Sequence, residues 1–433
     1  MKYSFLHTSD LHLDLPMQGI SRTPPALAEI LRDASLEAFE SIVDLAVERE
    51  VAFVLISGDL CGGKSGEPWP LRAHVQLLHG LQRLHANGIE TVLTLGANDP
   101  THPLSSPDGV QRLPAGTTIL DSFGELSSCV VGKDRAGPQG LATIHGMRWL
   151  PDGSALEALR GAAESQGIQI GLVHAPIGNT SQGDAASFDD LRSSGLDYWA
   201  LGHRHQHEVH AGENGSPYIV FPGTPQGRSP HYGELGAKGC VRVDCEDGQV
   251  LGAEFEPCDR VRFVEVEVAG ASSFEDSRDR LEDEFQRIRE VHRGRTVVID
   301  GSLSAAPDAA FSVDEEVLRK LLSTLRESAE GNYPLAWWNR LRLATTPPES
   351  ATAADLHDLL GDLRTLVSEQ VAAESAAGEL HEPWTAKAAP EWTTVDQPAL
   401  DGILRPLNRS ERLDLLLYAE REAVARVEKG GWR

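Results

Sequence analysis

The 433-residue sequence has no long apolar run, no CxxC pair, no internal repeat and no apolar leader segment at its start. The first absence argues against a helical membrane protein, since a spanning helix needs about 20 consecutive apolar residues. The five cysteines, Cys61, Cys129, Cys240, Cys245 and Cys258, are scattered and odd in number, so neither a zinc ribbon nor a disulfide framework is expected. They read as reduced, mostly buried small side chains. Met1-Lys2-Tyr3-Ser4-Phe5-Leu6 passes directly into a strand-like segment without the h-region of a signal peptide, so a cytoplasmic protein is expected. Lysine is sparse, and arginine carries nearly all the positive charge. The formal net charge of −26 is awkward for nucleic-acid binding, which normally leaves a basic footprint. Bound cations nevertheless offset acidic ligands locally, and a distal acidic region can dominate the sum while one groove stays positive.

What is present is an ordinary globular composition, 40% hydrophobic and 24% charged, in a chain long enough for two or three domains. Apolar, β-rich segments at Tyr3 to Ser9, Val51 to Ser57, Glu90 to Leu95, Ile168 to Val173 and Tyr198 to Leu201 each run into a polar loop. Between the early ones, Ala26 to Arg49 and Leu71 to Asn87 repeat apolar residues at helical spacing. This alternation predicts an α/β fold, with ligands gathered at the carboxyl ends of strands. Tyr218 to Gln249 reads as mostly β, turning at Pro222-Gly223-Thr224-Pro225 and Glu246-Asp247-Gly248. A second unit starts near Asp259, with strands at Val261 to Val268 and Arg295 to Asp300 and a charged helix at Ser273 to Val291. Helical patterns then dominate, at Val313 to Glu327, Ala353 to Ser375 and Ser410 to Glu428, with an irregular linker at Ala376 to Asp396. Trp337-Trp338 and the alternating residues after them read as a strand of the second unit. The predicted division is a catalytic domain over 1–258, a small α/β cap over 259–345 and a helical region over 346–433.

Five short clusters follow the strands in order: Asp10-Leu11-His12, Gly58-Asp59, Gly96-Ala97-Asn98-Asp99, Val173-His174 and Gly202-His203-Arg204-His205. An Asp-x-His or His-x-His pair at a strand end puts both side chains on one side, because side chains alternate with period two. Both then reach one metal cluster. Hydrolysis of a phosphate ester needs activated water and a neutralised phosphoryl oxygen, and two neighbouring metals supply both. Mixed oxygen and imidazole donors suit manganese, iron or zinc. Singly each cluster is weak; the ordered set is specific.

On these clusters the sequence resembles the calcineurin-like metallophosphoesterases. The narrower resemblance is to the SbcD and YhaO type of DNA repair nuclease, through Thr8-Ser9-Asp10-Leu11-His12-Leu13-Asp14, Asp197-Tyr198-Trp199-Ala200-Leu201-Gly202-His203-Arg204-His205, Pro222-Gly223-Thr224-Pro225-Gln226 and Glu234-Leu235-Gly236. It covers about residues 1 to 260. The resemblance implies a two-sheet sandwich flanked by helices and two divalent metals, Mn²⁺ first and Fe²⁺ or Zn²⁺ as alternatives. Asp10, His12 and His205 would hold one metal, Asp59 would bridge, and His174 and His203 would hold the second. Arg204 would help stabilise phosphoryl charge. It also implies DNA as substrate, a coiled-coil ATPase subunit of the SbcC or YhaN kind as partner, and a homodimer as a further arrangement to consider. A catalytically weakened regulatory or scaffolding subunit and a small-molecule phosphatase or phosphodiesterase are the alternatives.

One cluster departs from the family pattern. The family has Gly-Asn-His-Asp, where Asn ligates a metal and His protonates the leaving oxygen; this chain has Gly96-Ala97-Asn98-Asp99. In register, Ala97 cannot coordinate and Asn98 cannot protonate, so impaired activity is expected. A slip of one residue would instead bring Asn98 to the second metal. Gly58-Asp59-Leu60-Cys61-Gly62-Gly63-Lys64-Ser65 also matches a P-loop pattern, but Gly66, Pro68 and Pro70 interrupt the helix such a loop must open into. His207 and His210 are expected outside the ligand set, and Asp14 is a candidate to orient His12.

Overall fold

Alternation of apolar side chains along the strands builds two facing sheets, with a third sheet beside them. The computed structural model describes residues 1–20, 23–61, 69–96, 99, 113–120, 126–146, 167–178, 186–212, 217–329 and 336–344. The irregular linker and the two C-terminal helices read from the sequence lie outside these residues, as do the P-loop-like residues 62–65 and the positions Ala97 and Asn98. The elements used below are β1 (Lys2–Thr8), α1 (Pro25–Glu48), β2 (Phe53–Ser57), α2 (Leu71–Ala86), β3 (Glu90–Thr94), β4 (Thr117–Ile119), β5 (Ser127–Val131), β6 (Ala142–Gly146), β7 (Ile168–His174), β8 (Tyr198–Gly202), β9 (Glu208–His210), β10 (Tyr218–Phe221), β11 (Gly239–Glu246), β12 (Gln249–Pro257), β13 (Val261–Ala271), α3 (Phe274–Val291), β14 (Thr296–Ala305), α4 (Glu315–Ala329) and β15 (Ala336–Leu343).

The first sheet runs β12-β11-β1-β2-β3-β4 and the second β9-β10-β8-β7-β6-β5. In the first, β1 to β4 are parallel and β11 and β12 antiparallel. In the second, β10, β8, β7 and β6 are parallel, with antiparallel edge strands β9 and β5. Phe5, Phe53, Leu55 and Val92 of the first sheet pack against Ile144, Ile170, Leu172, Tyr198 and Val220 of the second. Each large side chain removed from water there contributes roughly 1.5–3 kcal/mol. The opposite face of the first sheet, Leu6, Val54, Ile56 and Leu93, is covered by Phe39, Ile42 and Val43 of α1 and Leu77, Leu81 and Leu84 of α2. Two-sided burial explains why these strands read as nearly continuous apolar runs. This is the two-sheet sandwich with flanking helices that the sequence led us to expect.

Local signals set the element ends. Pro24 and Pro25 open α1, where a missing N–H costs nothing. The helix closes in a Schellman turn without glycine: Val51 N donates to Ala46 O, Glu50 N donates to Val47 O, and Glu50 takes a φ of 50°. The Asp247-Gly248 pair, both at positive φ, closes the β11–β12 hairpin.

The third sheet, β13-β14-β15, is wholly parallel. Its even-numbered β13 face, Val266 and Val268, packs on Leu281 and Phe285 of α3 and Leu321 and Leu325 of α4. Its odd-numbered face, Val261 and Phe263, meets Leu27, Leu31 and Ala34 of α1 together with Val298. Trp338 is fully buried and Trp337 is half-buried beneath Arg326, so this pair serves the core rather than base stacking.

His7 shows the price of a polar group inside the sandwich. It is fully buried between the Tyr198 hydroxyl at 3.0 Å and the Ser57 hydroxyl at 2.8 Å, and burial pushes its pKa down to about 3. The unfolded chain therefore takes up a proton near pH 6.5 that the folded protein refuses. The contribution of His7 to stability is full above that pH and falls as pH drops, by about 2 kcal/mol at pH 5. Thermal midpoints between pH 7 and pH 5 are expected to decline less steeply in His7→Asn than in the wild type. Identical slopes would overturn this account.

Candidate metal centre

The carboxyl ends of β1, β2, β3, β7 and β8 meet at one end of the sandwich. Main-chain bonds lock the first two loops in step: Asp10 N donates to Gly58 O at 3.0 Å, His12 N to Asp59 O at 3.0 Å and Leu13 N to Leu60 O at 3.1 Å. The loops take unusual backbone conformations there. Asp10, His12, Asp14, Asp59 and His203 all have positive φ, a region that non-glycine residues rarely occupy and that costs of order 1–3 kcal/mol each. Such strain persists only where the surroundings impose it.

Close approach of the two sheets needs glycine. A Cβ on Gly202 would stand 2.0 Å from the Ser57 carbonyl oxygen and 2.6 Å from His174 Nδ1, and one on Gly96 would stand 2.0 Å from Asp59 Oδ1. The space so saved brings His174 onto β2, where its Nδ1–H donates to Ser57 O at 2.8 Å. That bond fixes the tautomer and leaves Nε2 facing Asp59 Oδ2 at 3.5 Å.

Two groups of donor atoms result, each within 4.8 Å of one another: Asp10, His12 and His205, and Asp10, Asp59 and His174. Asp59 Oδ2 also lies 3.9 Å from His12 Nε2, between the groups. His203 sits beside them, its ring edge-on to His174 at 5.6 Å between centroids and its main-chain N–H donating to Asp10 Oδ2 at 3.0 Å. Its side chain belongs to neither group of donor atoms among the described residues.

The donor set fits divalent cations on the structure's own terms. Asp10 Oδ2 is satisfied by Ser9 Oγ at 2.6 Å, whereas Asp10 Oδ1 and His174 Nε2 are buried with no hydrogen-bond partner among the described residues. His12 Nε2 and His205 Nε2 lie 3.1 Å apart, within hydrogen-bond distance, and both nitrogens are free to ligate one cation once unprotonated. Burial, aided by the positive Arg228, holds His12 well below the ordinary imidazole pKa and so neutral, the form that ligates. Burial also raises Asp10, with Asp59 adding to it against the opposing pull of His174 and His205. Bound divalent cations would supply a neutralising charge at a phosphoryl oxygen and acidify water.

Several supporting residues carry no signal in the motif order. Glu234 Oε1 accepts from His205 Nδ1 at 2.6 Å and directs Nε2 toward Asp10. Lys238 Nζ, buried, donates to His205 O at 2.8 Å, and Thr224 Oγ1 donates to Asp10 O at 2.8 Å. Asp99 ties the β3 loop to the β2 loop by accepting from Leu60, Cys61 and Gly96 N–H groups at 3.0–3.2 Å. Burial, with Asp59 nearby, lifts its pKa to about 7. Glu234 lies in a motif that carried the resemblance, yet nothing local to it announces a contact 29 residues away.

Two expectations take a different form. Asp14 does not orient His12; its carboxylate accepts from Arg72 at 3.0 Å and its main-chain N–H donates to Ser35 Oγ at 3.0 Å, so it fastens the loop to α1 and α2. The Arg204 guanidinium donates to Glu208 Oε2 at 2.6 Å and to Ile177 O, and lies over the Phe221 and Phe188 rings at 4.7 and 5.5 Å. His207 and His210 bond to Phe221 O and Glu208, away from the donor groups.

The model of the calcineurin-like phosphoesterase family matches residues 3–207. The uncharacterized metallophosphoesterase YhaO of Bacillus subtilis (strain 168) is 27% identical over 374 residues, which span 83% of this chain and 86% of that protein. Among solved structures, TT1561 of Thermus thermophilus is 13% identical with a TM-score of 0.35, over 59% of this chain and 99% of the other. A dimetal phosphatase from Danio rerio is 11% identical with a TM-score of 0.34, over 57% and 93%. No described helix is long and apolar enough to cross a membrane. Residues 3–207, which carry the paired donor groups sharing Asp10, are thus similar to the calcineurin-like phosphoesterases, and the donor groups they bring together could hold metal ions.

Proposed function

We propose that the chain is a DNA repair exonuclease or endonuclease subunit acting on phosphodiesters, with manganese as the preferred metal and iron or zinc as substitutes. The observation that carries the proposal is the pair of donor groups sharing Asp10, with Asp59 between them, suited to two-metal attack on a phosphodiester. The nuclease assignment draws on the SbcD-like and YhaO-like motifs around Asp10, Asp197 and Pro222. The objection from net charge is eased locally: Arg289, Arg293 and Arg295 with the single acid Glu290 line a concavity of about 310 Å³ where α3 ends. In this reading residues 1–258 are the catalytic domain and 259–345 the cap. Residues 346–433 dock a coiled-coil ATPase subunit of the SbcC or YhaN kind in the cytoplasm. A homodimer fits the same scheme.

The sequence Gly96-Ala97-Asn98-Asp99 favours a second reading, a weakened metal-binding scaffold or regulatory subunit. Purified protein with manganese should degrade linear DNA and turn over bis(p-nitrophenyl) phosphate slowly. Retained metal without turnover of either substrate supports the scaffold. Hydrolysis of small phosphate esters with DNA left intact replaces the nuclease by a small-molecule phosphatase or phosphodiesterase.

A further inference from the structure

The donor groups account for the cations but leave open which side chain meets the negative oxygens of the substrate. Arg204 is committed elsewhere, to Glu208, the Ile177 carbonyl and two aromatic rings. Release from those contacts would unpair Glu208 and forfeit both cation–π contacts. A second arginine, in the loop between β10 and β11, directs its charge at two of the ligands, His12 and His205.

That residue is Arg228. Its main chain is held on both sides: its N–H donates to Glu234 Oε2 at 3.1 Å, and its carbonyl accepts from Gln18 N at 2.8 Å. Glu234 is the same carboxylate that orients His205, so one side chain positions both a metal ligand and Arg228. The Arg228 guanidinium is near enough for its charge to act on His12, His205 and Glu234. Its Nε is buried without a hydrogen-bond partner among the described residues, while the residue as a whole keeps partial exposure. A buried unpaired donor on a fixed cation is costly unless something anionic completes it. Glu234 is poorly placed to do so, since its two oxygens already accept from His205 and from the Arg228 main chain.

We propose that Arg228 binds a non-bridging oxygen of the substrate phosphate at the metal centre, the role the resemblance gives to Arg204. A guanidinium suits this because its planar fork offers parallel N–H donors to two oxygens of one phosphate. Standing beside the His12–His205 side of the centre, it adds charge where the phosphoryl oxygens become more negative during attack. The assignment rests on the hydrolase reading of the same centre.

The test uses the full chain loaded with manganese, bis(p-nitrophenyl) phosphate as substrate and orthophosphate as competing anion. Arg228→Ala is expected to lower kcat/KM by about 10²-fold and weaken orthophosphate inhibition by a similar factor, as loss of one such donor does elsewhere. Manganese content by elemental analysis should remain that of the wild type. Arg228→Lys should recover part of the loss, and Arg228→Gln, which keeps most of the side-chain length, covers the event that the alanine variant folds poorly. Unchanged orthophosphate inhibition in the variants, or loss of manganese together with activity, overturns the proposal and leaves the hydrolase standing. A manganese-loaded wild type that hydrolyses neither the ester nor linear DNA and does not bind orthophosphate removes both readings.

Discussion

Asp59→Asn is expected to remove most metal-dependent hydrolysis and to lower the amount of tightly bound metal, with little change in fold. Among the described residues, this carboxylate is the one within 4 Å of imidazoles in both donor sets, 3.9 Å from His12 Nε2 and 3.5 Å from His174 Nε2. Asparagine keeps the volume and an oxygen but loses the charge that joins two cations. Two-metal sites supply several kcal/mol of charge stabilisation, so removing the carboxylate that stands between the two groups should cost about 10³-fold in rate. The main-chain bond from His12 N to Asp59 O does not depend on the side chain and should preserve the loop. Elemental analysis, steady-state rates and a thermal melt on the same preparation separate these effects. Unchanged metal content with a rate within tenfold of the wild type would remove Asp59 from the bridging position.

The opposite direction is available at the departing cluster. Ala97→Asn combined with Asn98→His is expected to raise turnover by about 10²- to 10⁴-fold, the usual contribution of a general acid. The flanks of these two positions are already fixed, Gly96 against Asp59 and Asp99 by three main-chain N–H groups. A new side chain therefore enters a loop whose ends are set. The single changes separate the roles: Ala97→Asn should act on metal content, Asn98→His on the release of poor leaving groups. Failure of the double variant to exceed the wild type would mean that this loop works by different chemistry, and the weakened-subunit reading would lose its main support.

Much of this was legible because the ligand clusters are local patterns tied to strand ends. Asp10 and His12 follow β1, and His203 and His205 follow β8, and those strands read clearly as apolar runs, although positive φ at Asp10, His12 and His203 replaces the strand alternation expected there. The sandwich was legible for the same reason, although the short strands β4, β5 and β6 escaped notice, even with the Gly137-Pro138-Gln139-Gly140 turn just before β6. What stayed hidden depends on contacts between distant segments. Glu234, Lys238 and Thr224 act on His205 and Asp10 through a loop whose path no residue pattern reveals. Asp14 looked like a partner for His12 because it is close in sequence, but its left-handed backbone turns it toward Arg72. Arg204 looked available because it stands between two histidines, and only the packing of Phe188 and Phe221 shows where its charge goes.

The ladder joining residues 10, 12 and 13 to residues 58, 59 and 60 extends the pairing of the first two strands into the very segments that present ligands. Ordinary loops breathe separately; these are stitched edge to edge like the sheet beneath them. The protein thus dictates the span between its carboxylates, and ions of unequal radius must conform to that gauge instead of reshaping it. Choice among metals becomes a matter of mechanical fit as much as of donor chemistry.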